Sequence, residues 1–169
     1  MDIIVTAPVA LHATMVAARD HREALLKRYA PAYVQKALEI ERYAVAKPEI
    51  ASDSAVNIVF CREIAKGGVE AALWELAEEA KAGLRVELRD IPIRQETVEV
   101  FNTLDLDPYI LDSCGSWLLF ANDGAAVLAQ LQEQGCTEAA VIGYTTKDKK
   151  RLLYYSGVER FLLPPKRYL

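Results

Sequence analysis

The sequence predicts an α+β fold: helices packed on a mixed, largely antiparallel sheet. Three observations predict it. Strand-type runs and helix-period stripes occur in no regular alternation, which argues against a repeated βαβ unit. The runs Ala139–Tyr144 and Arg151–Tyr155 are separated only by the polar loop Thr145–Lys150, too short for a crossover helix, so the spacing predicts a terminal hairpin. The chain has 169 residues, 52% of them hydrophobic and 26% charged, enough for one substantial core and too few for two.

In chain order, Ile3, Ile4 and Val5 predict a strand over Asp2 to Thr6 with both faces covered, ended by Ala7-Pro8. Residues 10–28 carry Leu11, Met15, Ala18, Leu25 and Leu26 at helical spacing. Pro31 suits the first turn of a second helix, in which Tyr33, Ala37, Ile40 and Ala44 share a face. Val56 to Phe60 is the next strand. The clearest helix follows it, with Val69, Ala72, Leu73, Leu76, Ala77 and Ala80 on one stripe and glutamates mostly opposite. Gly83 is expected to stop that helix. Leu84 to Leu88 alternates as a half-buried strand. Ile91-Pro92-Ile93 turns the chain into a short helix around Glu96–Leu104, and Asp107-Pro108 turns it again. Trp117–Phe120 is a buried strand. Asn122-Asp123-Gly124 caps a helix that runs to about Gln134 and ends at Gly135.

Charge and cysteine usage narrow the function. A formal net charge of −4 lacks the basic face that nucleic-acid binding needs. No apolar run approaches the ~20 residues that cross a bilayer. The N-terminus carries Asp2 and no basic start, so the expected location is the cytoplasm. Cys61, Cys114 and Cys136 share no metal-ligand spacing, so the expected metal ligands are none and the cysteines are read as packing groups.

One stretch departs from ordinary turn chemistry. VFCREIAKGGV runs from a strand through Arg62, Glu63 and Lys66 to the pair Gly67-Gly68 and then into a helix. Amides at a helix start are unpaired and carry the positive end of the dipole. Glycines admit a ligand close to them, and Arg62 and Lys66 supply charge, so the layout suits a phosphate or carboxylate. An ordinary strand-to-helix turn has the same layout, with Arg62 and Glu63 as an ion pair shaping it. The Walker and Rossmann glycine patterns are both absent. His12 either faces a ligand or is a solvated helix-start histidine. Cys114 has no histidine placed by sequence to activate it, and no residue is assigned a catalytic role.

From about Asp2 to Pro165 the chain resembles the C-terminal domain of the aminoimidazole ribonucleotide (AIR) synthetase superfamily, and most of all its HypE-like, hydrogenase-maturation members. The resemblance rests on Arg62-Glu63-Ile64-Ala65-Lys66-Gly67-Gly68-Val69, on Ile91-Pro92-Ile93-Arg94, on Leu106-Asp107-Pro108-Tyr109, on Gly115, on Ala140-Val141-Ile142-Gly143 and on Pro164-Pro165. It implies a partly ferredoxin-like fold over residues 1–169 as a single domain, with the superfamily's N-terminal ATP-binding domain expected to be absent. It implies a ligand- or phosphate-facing set of Arg62, Glu63, Lys66, Gly67, Gly68, His12 and Gly115. ATP with Mg²⁺ would enter only with a partner domain, and the implied partners are a separate ATP-binding subunit or further copies of the chain.

The departures matter. The motif's Asp is Glu63 and its Thr is Ala65. The polar turn before the first helix keeps only His12. An acidic residue before Gly115 is replaced by Cys114, and no cysteine follows Cys136. Three readings stand at this point: a module that binds an anionic or nucleotide-like ligand or docks on an ATP-binding subunit, a split subunit of an ATP-dependent enzyme, and a structural homo-oligomer.

Overall fold

The structure is a computed structural model that describes residues 1–50 and 58–166. The strands are β1 (Asp2–Val5), β2 (Ile58–Glu63), β3 (Gly83–Glu87), β4 (Trp117–Ala121), β5 (Ala140–Thr146), β6 (Arg151–Tyr155) and β7 (Val158–Phe161). The helices are α1 (Leu11–Asp20), α2 (Arg22–Leu26), α3 (Pro31–Leu38), α4 (Gly68–Ala80), α5 (Gln95–Leu104) and α6 (Gly124–Glu133), with 3-10 turns at Ile40–Tyr43 and Leu88–Asp90. Pro31 opens α3, and Asp123 caps α6 by accepting from the Ala126 amide at 3.0 Å. The helix expected over residues 10–28 breaks at His21 into α1 and α2. Val56 and Asn57 lie outside the described residues, and β2 continues further than expected, through Glu63.

Helices pack on one sheet ordered β2-β4-β1-β5-β3-β6-β7, antiparallel at every step except β3–β6, as the α+β reading requires. The expected hairpin between β5 and β6 does not form. β3 lies between them, antiparallel to β5 and parallel to β6. The loop 147–150 instead arches over the start of β3, and Gly83 makes the crossing possible. A Cβ there would lie 2.1 Å from the Asp148 carbonyl oxygen and 2.5 Å from that of Lys150. Gly83 is therefore no helix stop: α4 ends at Lys81 in the left-handed conformation, and Gly83 is the first residue of β3. The terminal hairpin is β6–β7, turning at Ser156-Gly157.

The core has three parts. On one face α4 lays Val69, Leu73 and Leu76 against Ile3, Val5, Leu118, Phe120, Val86 and Leu153. Each fully buried Leu contributes ~2 kcal/mol by removal from water. On the other face α6 covers Ile4, Leu119 and Ala121 with Val127 and Leu131. The third part lies among α1, α2, α3 and α5, around Leu25, Val34, Val100 and Phe101.

Strand registers place Glu63, Trp117, Val5, Ala140, Glu87 and Tyr155 at one end of the sheet. That rim carries the turns into α1 and α4, the segment 112–116 and the Ile91-Pro92-Ile93 turn. Val9 donates to the Pro92 carbonyl across it at 2.9 Å.

Candidate functional site

The predicted loop is a strand end followed by a tight turn. Arg62 and Glu63 are consecutive residues of β2, so their side chains leave opposite faces and the expected Arg62–Glu63 ion pair is not made. Arg62 turns toward α4, donating to Glu75 at 2.6 Å and also to Glu79. Glu63 turns the other way and accepts from the Gly115 amide at 3.1 Å.

Of the glycine pair, Gly67 is exposed and Gly68 is buried. Gly68 has a φ of +68° and donates to the Ala65 carbonyl at 3.0 Å, so that amide does not point into a cleft. The segment Tyr109–Leu111 lies directly on it. A Cβ on Gly68 would be 2.5 Å from the Tyr109 carbonyl oxygen, and that same oxygen accepts from the Glu70 amide at 3.1 Å. Two amides of the first turn of α4, those of Gly68 and Glu70, are thus taken by carbonyls of the chain itself. Lys66 is exposed and makes no ion pair among the described residues.

Three of the expected residues do come together, around the segment 112–116. Gly115 bonds Glu63, and its carbonyl accepts from Val45 at 2.7 Å. His12 Nδ1 lies 2.6 Å from Glu41 Oε1, and the Ala13 amide donates to the Asp112 carbonyl at 3.4 Å. Cys114 lies among these groups. A hydrogen bond to Asp112, then burial, then the charges of Asp112, Glu63 and Glu41 push its thiol up to about 11. The rim here is acidic, and the thiol stays protonated at neutral pH.

Asp112 and Glu41 carry this chemistry and were not singled out from the sequence. Asp112 left a usable sign: in D-S-C-G its Oδ1 accepts from the amide two residues on, at 2.9 Å, as an Asx turn does. Glu41 left none, because only the fold brings the 3-10 turn Ile40–Tyr43 to His12.

Two hollows open along the seam between the rim and the helix cluster. The smaller, about 130 Å³, lies between the exit of β1, Arg42–Val45 and Gly135–Glu138. On its wall the Tyr43 ring stands 3.9 Å from the Arg94 guanidinium and 4.9 Å from that of Arg42, and both donate to its hydroxyl. Arg94 also pairs with Glu138 at 3.0 Å and with the buried Glu96 at 3.4 Å. The larger, about 460 Å³, has Phe101, Tyr109 and Tyr155 as aromatic walls and Arg89 at its mouth. Burial first, and then nearby Tyr155 and carboxylates, raise the Tyr109 hydroxyl above its ordinary value. Among the described residues no group of three or more His, Cys, Asp or Glu could hold a metal ion, and no helix is long and apolar enough to cross a membrane.

The family model for the AIR synthase related protein, C-terminal domain, matches residues 2–155. The chain belongs to that family. A putative hydrogenase expression/formation protein of Methanocaldococcus jannaschii is 29% identical over 120 residues, which are 64% of this chain and 33% of that one. Among solved structures, the hydrogenase maturation protein HypE in complex with ATP superposes with a TM-score of 0.70 at 18% identity, over 98% of this chain and 51% of that one. A HypE–HypF complex gives 0.70 at 14% identity, over 97% of this chain and 52% of that one. The identity to these structures shows a shared fold. The chain thus spans about a third of the curated relative and about half of the solved chains it matches.

Proposed function

We propose that this AIR synthase related domain is a docking half. It presents its rim to a separately encoded ATP-binding subunit and has no turnover of its own. The observation that supports this best is the state of the α4 N-terminus. The Gly68 and Glu70 amides are taken by the carbonyls of Ala65 and Tyr109, and Arg62 by Glu75 and Glu79. Lys66 is then the one cation of the predicted loop without an ion pair among the described residues, on a rim that also carries the carboxylates Glu63 and Asp112. A rim of this sign does not cradle a triphosphate alone. It suits a partner that brings the nucleotide and its cation, with Lys66 as an anchor. Asp112 and burial push the Cys114 thiol up to about 11, which disfavours it as a nucleophile. Solved HypE structures with ATP and with HypF are consistent with a domain that works inside a larger assembly.

Calorimetric titration of the chain with ATP–Mg²⁺ and with inorganic phosphate tests the reading. No heat of binding is expected up to millimolar concentration. The tagged chain, isolated from its native cells, should carry an ATP-binding protein in fixed ratio and lose it in Lys66→Glu. Micromolar binding of ATP–Mg²⁺ by the chain alone, abolished in Lys66→Ala, would replace docking with direct ligand capture.

A further inference from the structure

The larger hollow opens where two cores meet. Leu88 and Ile91 on its floor belong to the core under α4, and Phe101 belongs to the core among α1, α2, α3 and α5. These three are at most 5% exposed, whereas Arg89, Asn102 and Tyr155 at the mouth are exposed. Val98, Phe101 and Asn102 stand at i, i+3 and i+4 of α5, so a single helix face contributes wall, floor and mouth. At about 460 Å³ the hollow has the size of a small-ligand site, and it has the make-up of one: an apolar interior with a few polar groups converging at the entrance.

We propose that this hollow binds a small amphipathic acid, whose flat apolar ring system lies against Phe101 and Tyr109 and whose carboxylate meets the Arg89 guanidinium. The walls argue for the ring. Phe101, Tyr109 and Tyr155 are three aromatic groups around one space, and aromatic rings attract each other beyond the area they bury. Leu88, Ile91 and Val98 complete an interior that has no use for a charged body.

The donors at the mouth argue for the carboxylate. Arg89 packs over the Tyr155 ring at 5.2 Å, which holds it at the entrance, and it makes no ion pair among the described residues. The Asn102 amide and the Tyr155 hydroxyl make no hydrogen bond among them either. The Tyr109 hydroxyl reaches only the Leu88 carbonyl, at 3.4 Å. The mouth thus gathers four groups able to donate, and no carboxylate lines the hollow. The acidic groups nearest Tyr109 are engaged elsewhere. Glu87 accepts from the Arg89 amide at 3.3 Å, Asp107 from the Tyr109 amide at 2.9 Å, and Glu70 is paired with Arg160. An unpaired guanidinium offers a planar fork that a carboxylate fits with two bonds, whereas an amine would meet it as a like charge. The inference does not rest on docking at the rim.

Isothermal titration of the full chain with three naphthalene probes tests this: the carboxylate, its primary amide and the aminomethyl cation. The carboxylate should bind at least tenfold tighter than the amide, and the cation should bind weakest. Arg89→Gln should weaken the carboxylate about tenfold and leave the amide within about twofold, since it removes a charged partner and keeps a donor. Asn102→Trp, at an exposed helix position, should fill the mouth and weaken carboxylate and amide alike by at least tenfold. Far-UV circular dichroism confirms that each variant is folded. Lys66→Glu should bind the carboxylate like the parent, so this site and the docking rim stand or fall separately. No binding at millimolar carboxylate, an amide or cation that binds as tightly, or an affinity that folded Arg89→Gln or Asn102→Trp leaves unchanged overturns the proposal.

Discussion

Asp112→Asn should make Cys114 reactive without disturbing its loop. Asp112 is the first cause of the raised thiol, which stands at about 11 against an ordinary 9.0. At pH 8 a thiol at 11 is ~0.1% thiolate and one at 9 is ~10%. Full relief would thus raise the thiolate fraction about a hundredfold. A less basic thiolate is also a weaker nucleophile, by about half a log unit per pKa unit, which returns roughly a factor of ten. The net gain is bounded at about tenfold. Burial, Glu63 and Glu41 remain in the variant, so three- to tenfold is expected. Asparagine keeps the Oδ1 that accepts the Cys114 amide at 2.9 Å, so the turn survives. The assay is the rate of iodoacetamide labelling of the Cys114 peptide by mass spectrometry, from pH 7 to 11. In the parent protein the rate should keep rising about tenfold per pH unit to about pH 10 and level off only near pH 11, where an ordinary thiol levels off near 9. The linked stability follows the same sign: the folded thiol holds its proton more tightly than the unfolded one, so stability falls as pH rises from about 9 to 11. Labelling of the parent at the rate of an ordinary thiol at pH 8, or an unchanged rate in folded Asp112→Asn, would refute the acidic rim.

Gly83→Ala should cost ~3 kcal/mol or more, because the contacts its Cβ would make at 2.1 and 2.5 Å are with backbone oxygens that cannot rotate away. In a domain of this size that lowers Tm by about 6–12 °C, measured by thermal unfolding. Arg94→Met should destabilise by about 3 kcal/mol in urea unfolding, because Glu96 is 7% exposed and loses its partner guanidinium. Combining it with Glu96→Gln should restore most of that loss.

The fold class was legible because it depends on period and burial. Ile3, Ile4 and Val5, the α4 stripe and the Asp123 cap all state their roles locally. What escaped was strand order. Thr145–Lys150 is short enough for a hairpin, and nothing local reveals that a third strand passes beneath it. The one trace was Gly83, and it has an ordinary explanation as a helix stop. The site was legible in part for a similar reason. Glu63, Gly115 and His12 mark the rim, but their partners Asp112 and Glu41 come from segments distant in sequence. Arg62 was misjudged because alternation along β2, which sends it to the α4 side, becomes certain only when the strand is known to continue through Glu63.

The glutamates of α4 look from the sequence like a solvated face, and the structure gives them a use. Glu75 and Glu79 hold Arg62 on the edge strand β2, Glu78 holds Arg151 on β6, and Glu70 holds Arg160 on the opposite edge strand β7. Arg151 also lies 4.2 Å over the Trp74 ring. Each such pair has at least one side chain more than 40% exposed, so each contributes only a few tenths of a kcal/mol. Their arrangement matters more than their sum. They tie one helix to both edges of a seven-stranded sheet, and that helix begins at Gly68, under Tyr109, on the rim. The turn with the glycine pair is therefore clamped from three directions: by strand arginines along the helix, by the Ala65 carbonyl inside the turn, and by the Tyr109 carbonyl above it. These contacts occupy the Gly68 and Glu70 amides and the Arg62 guanidinium, which is why docking rather than anion capture is the function proposed above.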